Sequence, residues 1–385
     1  MIKAWYFEFN APPGKAVPDY EDREAIQRAF NFNMDLTVGH EQRGFEGVFF
    51  SEHHFVASLS PTPNLLVAAL AARTRRLKIG VMGNVLPFHQ PWRVAEELAL
   101  LDYITEGRLE IGVASGIPPE FLFVNIPQPD IRPMFDEVLD FLQEAETNGM
   151  ASLKGKYYDY ENIPISPRPR IEERRRHWIP IYSEATCREA ARRDFKVCTG
   201  FQTVAKAMVA FDGYRDEAAK LGRTVGPDDI GVRRQVLIRD SHDEAVALRE
   251  ELQESANARI DALFQAVFQR LQKEGETFPD PAKQSGVIDA AAAPREQGSD
   301  AAKPKPPTAG SNALPISPDE FITGSPGTVA EQIIDQCRRM GAGNIMAYHC
   351  PTLDEQQILR NYELWEEVIP ILQKADVLTD RVAAA

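Results

Sequence analysis

The 385-residue chain is short of the residues that mark several common functions. Its four cysteines, Cys187, Cys198, Cys337 and Cys350, are scattered, and none forms a C-x-x-C pair. Neither a zinc site nor a disulfide framework is indicated, and no metal is expected. Cations are scarce too: 43 Lys and Arg face 57 Asp and Glu, a formal net charge of −14. Nucleic acid and anionic membranes need clustered positive charge, so neither is expected as the main partner. The basic runs Arg73-Thr-Arg-Arg76 and Arg174-Arg-Arg176 are local and read as solvated faces, with a role in holding an anion as the alternative for the second run, close to Arg168 and Arg170. No segment approaches the roughly 18 uninterrupted apolar residues of a membrane span. The first residues, Met1 to Glu8, show no long apolar core and no cleavage signal. A reduced, cytoplasmic protein is expected.

What the chain does contain is alternation. Short apolar runs, expected as strands, fall at Ile2–Phe9, Gly47–Phe50, Leu77–Gly83, Arg108–Val113, Trp178–Ser183, Lys196–Thr199, Ile230–Arg239 and Asn344–His349. Helical patterns follow each of them. The one expected at Pro91–Ile104 has proline in its first turn and Gly107 past its end. Others are expected at Arg132–Glu146 and, closing the chain, Leu353–Leu372. Tyr157–Ile163 reads as an extra extended piece. Alternation of this kind implies parallel strands with right-handed crossovers. Eight such units allow closure into a (β/α)8 TIM barrel. A doubly wound open sheet is the alternative, but no G-x-G-x-x-G turn follows the first strand.

The expected organisation is a single domain over 1–385 with a mobile insertion at 275–315, between strands seven and eight. That insertion holds Ala290-Ala-Ala-Ala293 and Lys303-Pro-Lys-Pro-Pro307. It has too little apolar surface to offset the entropy of ordering it. It reads either as a passive linker or as a lid at the barrel's carboxyl rim.

The chemistry-bearing stretch is Gly44-Phe45-Glu46-Gly47-Val48-Phe49-Phe50-Ser51-Glu52-His53-His54-Phe55. A buried strand runs straight into a carboxylate and two adjacent imidazoles. In a parallel barrel, residues just past the carboxyl ends of strands line the active-site mouth. The plain alternative is a pair of histidines that cap a strand. Successive residues point to opposite faces, so both rings are not expected to serve one ligand.

Together with Leu77 to Gly116, Pro167 to Asp194 and Thr323 to Leu372, this stretch resembles the bacterial luciferase-like flavin-dependent monooxygenases. The resemblance implies an FMNH2-dependent two-component enzyme. Such an enzyme would insert one oxygen atom from O2 into a small organic substrate through a flavin C4a-hydroperoxide. It also implies a separate NAD(P)H:flavin reductase and a homodimer. By the same resemblance His53 is the catalytic histidine; His54 would then support the loop or orient its neighbour, and Glu52 reads as the partner that fixes a histidine tautomer. Met82, Gly83 and Asn84 would lie against the flavin ring, with a non-proline cis bond between Met82 and Gly83; an ordinary trans bond at a strand end is the alternative. His89 and Gln90 match a polar pair given a structural role. Ala114, Ser115 and Gly116 match a small-residue turn that lets the cofactor approach. Here the chain departs from luciferase itself, which has a reactive thiol in place of Ala114 and an arginine in place of Ser115. Glu120 and Phe121 resemble a pair lining the mouth, with a solvated loop acid as the alternative. Ser183, Glu184, Ala185, Thr186 and Cys187 match the turn that holds the phosphate, where free N–H groups open a helix; Thr186 as a simple cap is the alternative. Two further readings share the fold: an oxidoreductase using the deazaflavin F420, and a non-catalytic flavin-binding barrel.

Overall fold

The computed structural model describes residues 1–55, 58–169, 177–273 and 317–377. The proposed insertion at 275–315 therefore lies wholly outside the described residues.

In chain order the elements are β1 (Lys3–Glu8), α1 (Arg23–Gly39), β2 (Gly47–Phe50), α2 (Pro63–Ala71), β3 (Lys78–Val85), α3 (Pro91–Ile104), β4 (Leu109–Ala114), α4 (Pro118–Phe121) and α5 (Gln128–Asn148). Then come β5 (Met150–Lys154), β6 (Asp159–Pro164), β7 (His177–Pro180), α6 (Glu184–Arg192), β8 (Lys196–Thr199), α7 (Val204–Lys220) and β9 (Ile230–Ile238). The chain continues with α8 (His242–Lys273), β10 (Phe321–Gly324), α9 (Pro326–Met340), β11 (Asn344–Tyr348), α10 (Glu355–Glu363) and α11 (Trp365–Lys374). Parallel pairing runs β1-β2-β3-β4-β7-β8-β9-β11 and back to β1, which closes an eight-stranded barrel. The TIM barrel expected from the alternation is what forms.

Glycine placement lets this cylinder fill. Trp5 on β1 lies across the interior, stacked on Phe49 at 5.0 Å and edge-on to Trp178 at 6.3 Å. A Cβ on Gly47 would come within 2.3 Å of the Trp5 ring, and one on Gly231 within 2.8 Å of Met346. The strands give up side chains at these two points so that three large rings can close the lower barrel. The larger apolar layer lies outside the sheet, between strands and helices. A plugged floor leaves the carboxyl end as the one open mouth, as is usual for this architecture.

Three details differ from the expectations. The extra extended piece is the second leg of an antiparallel hairpin, β5–β6, whose first leg carries mixed polarity and no strand pattern. Strand seven, β9, has nine residues and serves three partners: its first part pairs with β8 and β11, its last with the added strand β10. The final helix is two helices, separated at Leu364 between the fully buried Tyr362 and Trp365. Among the described residues no helix is long and apolar enough to cross a membrane, no metal-holding cluster forms, and all four cysteines are free and buried.

Candidate active site

The mouth is built from the ends of β2, β3, β4 and β7. After the buried run of β2, Ser51 and Glu52 stay buried while His53 and His54 turn partly into the open. Phe55 follows with φ +60°, an uncommon left-handed backbone that ends the extended run.

The two imidazoles serve different carboxylates, as alternation along the chain requires. His53 Nδ1 lies 3.0 Å from Glu120 Oε1, and Glu120 is fully buried, so it is no solvated loop acid. Its other oxygen, Oε2, has no hydrogen-bond partner. His54 Nε2 lies 2.9 Å from Glu52 Oε1, and His89 Nε2 is 3.1 Å from the same oxygen. Glu52 Oε2 accepts the backbone N–H of Val85 at 3.0 Å. Burial alone would raise the Glu52 carboxyl; hydrogen bonds from His54, His89 and Val85 outweigh it and hold it at about 2. Burial likewise pulls the His89 imidazole down, but the bond and charge of Glu52 leave it raised. Glu52 is thus an ionised anchor tying the end of β2 to the end of β3. Gln90, next to His89, accepts a hydrogen bond from the Tyr160 hydroxyl.

The wall beside these groups has little side chain. The Met82–Gly83 peptide is cis, and the backbones of β3 and β4 nearly touch there. A Cβ on Gly83 would lie 2.7 Å from Val113 backbone atoms, and one on Gly112 2.1 Å from the Val81 carbonyl. Asn84 is fully buried and spends its side chain within the protein, donating to the Gly112 carbonyl and accepting from Asn64. Ala114, Ser115 and Gly116 continue the wall with partial exposure. Gly116 has φ +79°, and a Cβ there would meet Val85 and Phe121. Phe121 stacks on Phe88 at 4.4 Å, and Phe88 meets His54 edge-on at 4.8 Å.

At the end of β7, Ser183 caps α6. Its hydroxyl accepts the Thr186 N–H while the Thr186 hydroxyl reaches back to the Ser183 N–H, a full capping box. Ala185 and Glu184 are exposed, and the Glu184 carboxylate is paired with Arg188. Cys187 stands apart from the other four: its side chain is fully buried, its N–H is spent on the Ser183 carbonyl, and burial pushes its thiol up to about 12. Of the residues singled out from the sequence, Glu52, His53 and His54 come together with the Met82–Gly83 and Ala114–Gly116 wall, whereas Cys187 belongs to the helix core. The pairing of His53 with Glu120 was not drawn from the sequence, although both residues were noted there.

The model of a family described as luciferase-like monooxygenase matches residues 12–343. An uncharacterised protein of Sinorhizobium fredii, y4wF, is 28% identical over 59% of this chain and 67% of its own length. The alkanal monooxygenase beta chain of Photorhabdus luminescens is 27% identical over 42% of this chain. The chain spans 50% of that relative's length. Among solved structures, the oxygenating constituent of the 3,6-diketocamphane monooxygenase of Pseudomonas putida, a type II Baeyer-Villiger enzyme in complex with FMN, superposes with a TM-score of 0.71. It covers 98% of this chain and 99% of its own, at 19% identity. An F420-dependent secondary alcohol dehydrogenase superposes with a TM-score of 0.63 over 96% of this chain and 99% of its own, at 14% identity. Likeness at those identities speaks for the fold alone.

Proposed function

The chain belongs to the luciferase-like monooxygenase family, and from that premise we propose that it is an FMNH2-dependent, two-component monooxygenase acting on a small organic molecule. A separate NAD(P)H:flavin reductase supplies the reduced cofactor in this reading. Reduced flavin brings the two electrons that activation of O2 requires. The residues present suit such a group. The wall formed by Met82, Gly83, Ala114, Ser115 and Gly116 offers backbone and small side chains to a flat ring. The first turn of α6 offers the N–H groups of Glu184 and Ala185 to a phosphate, the Thr186 N–H being already taken by Ser183.

The observation that carries the reading is the His53–Glu120 pair at 3.0 Å. A carboxylate at Nδ1 holds the proton there and leaves Nε2 of a partly open ring free to take or give a proton. Glu52, His54 and His89 hold the loop in place rather than exchange protons.

The test is a titration of the purified protein with FMN, FMNH2 and reduced F420, followed by O2 uptake with a flavin reductase and NADH present. Binding of FMNH2 with coupled O2 uptake, lost in His53→Ala, is the expected result. Binding of reduced F420 alone, with no O2 uptake, would instead favour an F420-dependent oxidoreductase, as the structural neighbour named a secondary alcohol dehydrogenase is.

A further inference from the structure

Among the described residues, Arg233 stands inside the barrel with two donors that no acceptor meets. On β9 it lies between Gly231 and Gln235, the neighbours on its own face, and it is only 8% exposed. Its guanidinium sits over the rings of Phe201 at 3.9 Å, Phe7 at 5.0 Å, Phe9 at 5.5 Å and Tyr348 at 5.6 Å. Nε and Nη2 are buried with no acceptor. The buried carboxylate of this region, Glu320, is already committed. One oxygen accepts from Arg234 and the Phe201 N–H, the other from the Tyr348 hydroxyl. Two buried arginines thus share one carboxylate: Arg234 takes the direct hydrogen bond, and Arg233 meets Glu320 through charge alone.

Aromatic faces attract a guanidinium from above its plane and accept nothing from its in-plane N–H groups. A buried charge that retains unmet donors is costly, and a methionine would fill the same aromatic cage without that cost. The in-plane edge of a guanidinium matches a planar oxyanion in two-point geometry. Gly200 covers that edge with backbone alone; a Cβ there would come within 2.8 Å of Nε and 3.0 Å of Nη2.

Position narrows the occupant. β9 is four strands from β3 in either direction round the barrel, so Arg233 lies opposite the Met82–Gly83 wall. Phe9 links it to the proton-handling side: the Phe9 ring is 6.4 Å from that of His53, with 15° between their planes. An apolar body beside Phe9, with its anionic end on Arg233, would be presented to His53.

We propose that Arg233 is the specificity-determining residue of the substrate subsite, and that the substrate is a small apolar acid held by its carboxylate. This rests on the monooxygenase reading for the word substrate, but the binding itself does not.

The probe is benzoate, with benzamide as its uncharged isostere and inorganic phosphate as the competing anion. Binding to the full chain is measured by calorimetry without flavin. Benzoate is expected to bind roughly tenfold or more tighter than benzamide, and Arg233→Met to erase that preference. Arg233→Lys keeps the charge but not the fork, and should retain only part of the preference. FMN affinity should stay within about twofold in both variants. Equal binding of benzoate and benzamide would overturn the proposal. So would phosphate displacing benzoate, or FMN affinity falling as far as benzoate affinity in Arg233→Met, since the arginine would then serve the cofactor. A lower melting temperature with the benzoate preference retained would reduce Arg233 to packing and also overturn it. Failure of every flavin titration with the benzoate preference intact would remove the monooxygenase reading and leave the anion site standing.

Discussion

His53 and Glu120 are 67 residues apart in the chain, and their side chains meet at 3.0 Å with the carboxylate sealed from solvent. The carboxylate orients the ring and needs no contact with substrate to matter. Glu120→Gln keeps the volume but presents an amide that accepts less strongly and can also donate, so the preferred tautomer is lost. The turnover number should fall about 10–100-fold, as removal of such orienting carboxylates does elsewhere. FMN affinity and melting temperature should change little. A variant that loses flavin binding in proportion to turnover would show that Glu120 only shapes the wall.

Glu52 gives the fold a marked acid limit. Its carboxyl is held at about 2 against an ordinary value of 4.5. A depressed carboxylate contributes stability that is present above the unfolded value and is lost as pH falls from 4.5 through the folded value. A shift of this size corresponds to about 3 kcal/mol. His89 adds the opposite limb: its raised imidazole contributes below the ordinary value of 6.5, and that contribution fades as pH rises through the folded value. Urea unfolding between pH 3 and 6 should show the wild type losing stability steeply toward acid, with Glu52→Gln less stable at pH 6 and much flatter. Parallel curves for the two proteins would refute the assignment.

The barrel could be inferred because its cause is periodic: eight apolar runs and eight helices leave few ways to close. The site was harder, because it depends on which face each residue takes and on partners far away in the chain. The burial of Cys187 had a signal, since Cys187, Ala190 and Ala191 share the buried face of α6 at helical spacing. The resemblance of its turn to a phosphate site outweighed that pattern. Glu120 follows two prolines in a stretch that reads as loop, and nothing local says that its carboxylate turns inward to His53. Arg233 and Arg234 are neighbours in one strand, so one must face the interior. Only the ring contacts tell that Arg233 does so, while Arg234 pairs with Glu320.

The capping box at α6 separates a structural from a binding role. Ser183→Ala removes the acceptor for the Thr186 N–H and should cost about 1 kcal/mol of stability. If the same turn holds a phosphate, the variant also frees the Thr186 N–H and changes the preference for FMN over riboflavin, which lacks the phosphate. Dissociation constants for the two flavins should therefore move by different factors. Equal shifts would assign the turn to helix capping alone.

Glu8 makes the reverse prediction at neutral pH. Burial raises its carboxyl to about 7, and the hydrogen bonds from the Tyr6 hydroxyl and the Asn10 N–H offset only part of that rise. A raised carboxyl contributes stability that is fully present below the unfolded value of 4.5 and is lost as pH climbs through the folded value. Glu8→Gln mimics the neutral acid, its amide oxygen accepting the Asn10 N–H and its NH2 donating to the Tyr6 hydroxyl, and it has no proton to lose. It should therefore match the wild type near pH 5 and exceed it at pH 8, by a few degrees in melting temperature. The nearby His349, which burial lowers to about 4, stays neutral across that window and does not blur the comparison. A wild-type melting temperature that holds level from pH 5 to 8, with Glu8→Gln no more stable at the upper end, would show that the Glu8 carboxylate is carried ionised at no cost.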